Sequence, residues 1–329
     1  MALTKEQKSK LLNIESHLKK YNFPPQIIIE TTSRCNFRCL HCAHRVMMRK
    51  KSDMSSKLFK KIIDEIAEKS PETEIWPAFY GEPLLLGKKL FNLLRYAKKK
   101  GCHNIFLNTN ASLFKHQWIR DDILSSGIKC LIVSLDAFSK KTFNIIRHGG
   151  NRDEIYKSVE SLIKERKRKK LRYPIIICQF VMMTENKHEV DLFLQYWLKK
   201  GADVKIRNRG TWTGAIHAPQ IDYDDDFRIA CPIGNNTFAM HQDGNVVACC
   251  ADYEGGFIAG NIQEKTIEVI WKTTLYEKIR KPFREHRWND IPDVCKSCRD
   301  WQICGAEYHP SKENNKDFYP FWYAKTEQT

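Results

Sequence analysis

From residue 26 onward, short β-branched and apolar runs alternate with longer stretches in which apolar residues recur every three or four positions. That change of period predicts βα units around a parallel sheet, whose strands are apolar throughout because helices cover one face and a core fills the other. Strands are predicted at 26–30, 74–79, 104–108, 130–135, 175–181 and 204–207, and helices at 55–68, 88–100, 115–126, 152–169 and 187–200. The last two helices end in basic residues, which suit a helix C-terminus. Six such units are three quarters of an eight-unit barrel. The expected fold is therefore α/β, a partial (β/α)6 TIM-like barrel over 26–210, with its chemistry at the C-terminal strand ends. The units share no consensus, which argues against a solenoid array.

Outside these units the pattern changes. Residues 1–25 read as a charged helical extension without the apolar segment of a signal peptide. Residues 211–230 break the alternation with glycine, proline and an acidic run, and read as a linker. A small C-terminal cysteine-rich β-hairpin/α domain is expected at 231–304, where FAMHQDGNVVACC reads as two short strands around a Gln-Asp-Gly-Asn turn. The tail, 305–329, contains FYPFWYAK, which is expected to pack back on the body.

Composition narrows the picture. Of 329 residues 42% are hydrophobic, enough to bury real cores, and nowhere do eighteen apolar residues run together. A soluble, cytoplasmic protein with no membrane partner is expected. The net charge of +16 invites a polyanion. The lysines are scattered over helix faces such as KERKRKK at 164–170, however, and no nucleic-acid motif accompanies them, so solvated faces are the better reading.

Twelve cysteines in such a protein point to metal or redox chemistry, since a reducing compartment disfavours disulfides. Cys102, Cys130 and Cys178 lie in or beside predicted strands and read as small buried hydrophobes. Cys35, Cys39 and Cys42, in TTSRCNFRCLHCAHR just after the first strand, have CxxxCxxC spacing. Three thiolates grip three corners of a cubic iron–sulfur cluster and leave the fourth iron open, whereas a structural zinc site takes four protein ligands and closes. Later strand ends carry FYGEP (79–83), LNTNA (107–111) and VSLDA (133–137), followed by FNIIRHGG (143–150). Singly, a turn at Gly81, a helix cap at Ser134 and Asp136, and a surface Arg147 would account for them.

Together and in this order, these stretches resemble the radical S-adenosylmethionine (SAM) enzymes. The resemblance implies a [4Fe–4S] cluster on Cys35, Cys39 and Cys42 whose open iron binds the amino and carboxylate groups of SAM. FYGEP is similar to the GGEP motif, with Tyr80 in place of the first glycine, and would bring Gly81 and Glu82 to the SAM amino group. LNTNA is similar to LxTNG, with Ala111 in place of glycine, and would bring Thr109 and Asn110 near SAM. VSLDA would bring Ser134 and Asp136 to the ribose and methionine side, and Arg147 would pair with the SAM carboxylate through its planar fork. His41 stands where the family often carries an aromatic residue beside adenine.

The C-terminal cysteines resemble the SPASM and twitch auxiliary-cluster domains. Cys304 completes CxxCx5C, but position 308 is Tyr308 and no cysteine follows, so six thiols are present where two fully ligated clusters need eight. One auxiliary [4Fe–4S] cluster on Cys231, Cys249, Cys295 and Cys298 is expected. Cys250 and Cys304 are possible extra ligands, and the choice between Cys249 and Cys250 stays open. From the residues alone, a zinc ribbon is the alternative.

The resemblance implies an oxidoreductase that cleaves SAM reductively to a 5′-deoxyadenosyl radical and abstracts a hydrogen atom from a substrate, drawing electrons from a reductant such as flavodoxin or ferredoxin. A small hydroxylated substrate is expected, in a sugar or aminocyclitol dehydrogenation or epimerisation. The alternatives are modification of a ribosomally made peptide or, from another class, a basic zinc- or RNA-binding protein. Candidate substrate contacts are Gln179, Arg207, Arg209, Trp212 and His217; no catalytic residue is singled out.

Overall fold

The computed structural model describes residues 3–218 and 227–312. The chain enters through α1 (Lys5–Ser16), started by a capping box in which Thr4 and Gln7 exchange hydrogen bonds. The βα alternation then runs β1 (Gln26–Ile29), α2 (Ser56–Lys69), β2 (Glu74–Trp76), α3 (Lys88–Lys99), β3 (Phe106–Thr109), α4 (Gln117–Ser125) and β4 (Cys130–Ser134). It continues through α5 (Lys140–Ile146), α6 (Arg152–Arg168), β5 (Ile175–Met182), α7 (Val190–Lys200) and β6 (Asp203–Asn208).

β1 and β2 pair in parallel, as do β3 through β6 in succession. One parallel bridge, Ile75 to Ile105, links β2 toward β3, so the six strands follow one another in chain order as a partial barrel. Open strand edges carry unpaired backbone groups. Here both are covered from the C-terminal region. β7 (Thr237–Met240), which follows the short α8 (Pro232–Asn236), lies parallel beside β1. It forms a hairpin with β8 (Asn245–Val247), which pairs in turn with β9 (Ile258–Asn261). After α9 (Ile267–Trp271), α10 (Thr274–Arg284) and α11 (Asp293–Ser297), β10 (Glu307–His309) runs antiparallel to β6.

Alternation along the strands splits the core in two. Ile27, Ile29, Leu107, Val133, Cys178 and Val204 face the helices. Trp76, Phe106, Cys130, Ile132, Ile175 and Ile177 form a second cluster, in which Trp76 and Phe106 stack at 5.1 Å. Cys102, Cys130 and Cys178 are buried, as their strand context predicts.

Three local departures from the sequence reading have physical causes. The second strand stops at Trp76 because Pro77 has no N–H for the ladder; its carbonyl instead accepts from Thr31 Oγ1 at 2.8 Å. The helix expected at 187–200 is a 3-10 turn at Lys187–Glu189 followed by α7, with the Glu189 carboxylate drawn to Ser139 and Thr142 at the start of α5. The stretch expected to be a linker is ordered by side chains where it is described, at 211–218 and 227–230. Its residues 219–226 and the FYPFWYAK stretch lie outside the described residues. No described helix is long and apolar enough to cross a membrane.

Candidate functional site

The loop leaving β1 is fastened on three sides. Thr32 Oγ1 donates to Asp53 at 2.6 Å, and Arg34 forms a two-pronged pair with the same carboxylate at 2.9 and 2.6 Å. Arg38 N and Leu40 N donate to His148 O and Ile146 O at 2.9 and 2.8 Å. On the β2 side Gly81 presses so closely that a Cβ there would lie 2.0 Å from Thr32 O, and Glu82 N donates to Arg34 O at 2.8 Å.

This loop holds Cys35, Cys39 and Cys42 in a sheltered, hydrogen-bonded setting. Phe37 N donates to Cys35 Sγ at 3.4 Å, His44 N to Cys42 Sγ at 3.5 Å and Arg147 Nη1 to Cys39 Sγ at 3.3 Å. Burial, with the Glu82 charge and Cys39 adding to it, pushes the Cys35 thiol up to about 11. Burial pushes Cys42 up to about 12. Such thiols give up their protons near neutrality only to a bound cation, so the donor set fits an iron–sulfur cluster.

The strand-end motifs converge on this loop. Glu82 is buried and accepts from Leu84 N at 3.1 Å, Thr109 Oγ1 at 2.8 Å and Asn110 N at 2.7 Å. Asn110 Nδ2 reaches Asn36 Oδ1 at 2.9 Å. Ala111 has φ of 59°, the left-handed conformation that suits the glycine of the similar motif better than alanine. Asp136 accepts from Val181 N at 2.8 Å and pairs with Arg147 Nη2 at 2.7 Å, and His41 Nε2 lies 3.4 Å from it. Burial raises the Asp136 carboxyl, and the neighbouring Arg147 guanidinium pulls it back toward the charged form. His41 is held neutral by burial and by Arg147, Arg207 and Arg209. Ser134 Oγ accepts from Gln179 Nε2 at 3.3 Å.

Arg147, expected to face a SAM carboxylate, has its Nη atoms on Asp136 and Cys39. Among the described residues its Nε is buried without a partner, as are His41 Nδ1 and Asn108 Oδ1. Unpartnered buried polar atoms around one mouth are what a bound polar cofactor would satisfy.

Below the mouth lies a cavity of about 180 Å³. His41, Trp76, Asn108, Gln179, Lys205 and Arg207 line it from the barrel, and Trp212, Cys250 and Asp300 from the C-terminal side. Trp212 Nε1 donates to His41 O at 2.8 Å, and its ring lies 5.4 Å from that of Tyr80. Asp300 anchors the neighbouring backbone, accepting from Thr211 N at 2.5 Å, Thr211 Oγ1 at 2.8 Å and Thr213 N at 2.8 Å. Of the expected substrate contacts, Gln179, Arg207 and Trp212 meet in this cavity; Arg209 is buried beside it, and His217 does not line it.

Several residues of the site carried no usable sequence signal. Tyr80 donates its buried hydroxyl to Cys250 O at 2.8 Å. Arg49 binds Glu30 at 2.5 Å, Gln242 Oε1 at 2.7 Å and Tyr253 O at 2.7 Å, strapping the cysteine loop to the hairpin. Lys205, missed by the sequence reading, did have a signal: the period-2 alternation of β6 puts it on the inward face with Arg207. Burial and Arg207 push its amine down to about 7.

A second cavity, of about 300 Å³, is lined by Cys231, Cys249, Cys295 and Cys298 with Ile279, Phe283 and Trp301. Cys250 lines the barrel cavity instead, and Cys304 is buried against Ile14 and Ile233. Ala251 N donates to Cys249 Sγ at 3.4 Å and Asp300 N to Cys298 Sγ at 3.3 Å, the same two-residue N–H to sulfur turn found at Cys35 and Cys42. Burial pushes Cys231 and Cys295 up to about 12. Among the described residues, no three thiol, imidazole or carboxylate groups converge as the ligands of one metal ion would. Four thiols around a roomy, largely apolar hole fit a cluster better than a zinc ion.

Two family models match the chain in this order: the Radical SAM superfamily over residues 29–196, and SPASM, an iron–sulfur cluster-binding domain, over 231–299. The chain is 26% identical over 302 residues, 77% of this chain and 82% of the relative, to the tungsten-containing aldehyde ferredoxin oxidoreductase cofactor-modifying protein of Pyrococcus furiosus. It is 23% identical over 288 residues, 86% of this chain and 96% of the relative, to the S-adenosyl-L-methionine-dependent 2-deoxy-scyllo-inosamine dehydrogenase of Niallia circulans. The crystal structure of SuiB from Streptococcus suis superposes with a TM-score of 0.66 at 14% identity, covering 91% of this chain and 75% of that one. The chain belongs to the radical SAM superfamily and is an enzyme with a SAM-binding [4Fe–4S] site and a SPASM-type iron–sulfur region C-terminal to its barrel.

Proposed function

We propose that the protein cleaves SAM reductively at the barrel mouth and abstracts a hydrogen atom from a small hydroxylated substrate, a sugar or aminocyclitol, leading to dehydrogenation or epimerisation. The observation that carries this reading is the barrel cavity: about 180 Å³, roofed by Trp212 and lined by the amides of Asn108 and Gln179. A small polyol suits that volume and those amide donors and acceptors better than a peptide does. The Niallia circulans relative is named for an aminocyclitol, which agrees with this class.

When bound, the [4Fe–4S] cluster and SAM supply one electron and a carbon-centred radical. The chain does the rest. Cys35, Cys39 and Cys42 would hold the cluster, and Arg147 donates a hydrogen bond to the Cys39 sulfur. Gly81, Glu82, Thr109, Asn110, Ser134, Asp136 and His41 ring the SAM site. Trp212, fixed to the His41 carbonyl, covers one side of the cavity. Cys231, Cys249, Cys295 and Cys298 hold one auxiliary cluster, and a flavodoxin or ferredoxin in the cytoplasm supplies electrons.

The test is anaerobic reconstitution followed by reaction of SAM with deuterated polyols under dithionite. Deuterium carried into 5′-deoxyadenosine by a polyol supports the reading. Intact SAM refutes the chemistry, and deuterium transfer only from a peptide refutes the substrate class.

A further inference from the structure

The charges around the barrel cavity say more about its occupant. Among the described residues, five acids around it already have partners. Asp136 is held by Arg147 and Val181 N, and Asp300 by Thr211 and Thr213. Glu30 pairs with Arg49, and Glu82 accepts from Thr109, Leu84 N and Asn110 N. Glu74 accepts from Gln26 Nε2 at 3.1 Å and Trp76 Nε1 at 3.3 Å.

Arg207 stands apart from this pairing. It lines the cavity from β6, two residues from Lys205 on the same strand face. Among the described residues its one hydrogen bond runs from Nη1 to Asn208 O, at a long 3.4 Å. Its charge nevertheless reaches across the cavity, opposing protonation of Lys205 and favouring the charged form of Asp136. Among the described residues, the acids beside this cavity, Asp136 and Asp300, are already engaged by other partners, so the Arg207 guanidinium is best satisfied by a ligand that brings its own negative charge, which its planar fork grips through two hydrogen bonds.

We infer that the substrate carries an anionic group, a carboxylate or phosphate, seated on Arg207 at the end of β6 with Lys205 and Gln179 beside it. This rests on the barrel cavity being the substrate site. The same anion chemistry has a second source, the carboxylate of SAM itself, and the test separates the two.

Radiolabelled inorganic phosphate serves as the probe, in equilibrium dialysis against the reconstituted holoenzyme with saturating SAM and excess chloride. SAM binding is measured in parallel. Wild type is expected to bind phosphate at one site per chain; Arg207→Met weakens this at least tenfold and Arg207→Lys less, while SAM affinity moves less than twofold in both. Both variants must keep the wild-type iron content, and Arg207→Lys preserves the test if the Met variant does not fold. Unchanged phosphate binding in Arg207→Met overturns the inference by placing the anion elsewhere on the basic surface. Lost SAM binding overturns it by assigning Arg207 to the cofactor. An enzyme that cleaves SAM yet binds no phosphate in the cavity refutes this inference and leaves the proposed chemistry standing.

Discussion

Gly81→Ala puts a methyl group between the end of β2 and the cysteine loop, where the two backbones leave no room for a side chain. The added Cβ would lie 2.0 Å from Thr32 O and 2.8 Å from Arg34 O. Carbon and carbonyl oxygen come to rest at about 3.3 Å, so the two segments must part by about 1.3 Å (3.3 less 2.0). Neither side yields easily. Thr31 is bonded to Pro77 O, Thr32 and Arg34 to Asp53, and Glu82 N to Arg34 O. Overpacking of this kind costs roughly 1–3 kcal/mol, and loss of the Glu82 bond about 1 kcal/mol more, so a total near 3 kcal/mol is expected. At about 2–4 °C per kcal/mol, the melting temperature falls by roughly 6–12 °C.

Cys35 directly follows Arg34, so the cluster seat moves with the loop. Iron in the anaerobically reconstituted variant should drop from about eight per chain toward about four, the auxiliary site alone remaining. Iron analysis, the visible absorbance of the clusters and thermal denaturation read this together. If Gly81 mattered only for room beside SAM, the variant would keep all its iron and its melting temperature and lose SAM affinity alone. That result would refute the loop-spacing argument.

Other perturbations separate roles that the cysteine count leaves entangled. Cys249→Ala should lose about four irons per chain and Cys250→Ala none; the reverse pattern would show that the N–H to Cys249 sulfur turn misassigns the ligand. Asp300→Ala strands three hydrogen-bond donors over the cavity and should cost about 1–3 kcal/mol in denaturant unfolding. Trp212 fluorescence should shift to the red as well, and an unchanged spectrum would mean that Asp300 does not hold the roof. His241 is pushed down to about 4 by burial, with Arg49 adding to it. Below about 6.5 the unfolded chain takes up a proton there that the folded chain refuses, so stability falls as pH drops from about 6.5 toward 4. His241→Gln should flatten that part of the stability profile, and an unaltered slope would assign the acid loss to other groups.

How much of this was legible beforehand depended on distance along the chain. The six strands read out of the period because parallel strands buried on both faces must be apolar throughout, and the CxxxCxxC loop read out because its three thiols are neighbours. The five expected barrel helices fell within a few residues of their observed bounds, whereas α5 (Lys140–Ile146) was not expected. Local chemistry also explains the errors: Pro77 ends β2 early for want of an N–H, and Glu189 is drawn away to α5.

The sequence by itself thus determined the barrel units, the cluster loop and the polar strand ends, since each is written in residues that act on their immediate neighbours. Tertiary structure alone decided which of six C-terminal thiols share a cavity. Cys249 and Cys250 are adjacent in sequence, yet one lines the four-thiol cavity and the other the barrel. Tertiary structure also turned a stretch rich in glycine and polar residues into the cavity roof, because its anchor, Asp300, lies 89 residues beyond Thr211. Pairings across such a separation depend on where the chain returns in space, and no local period records that.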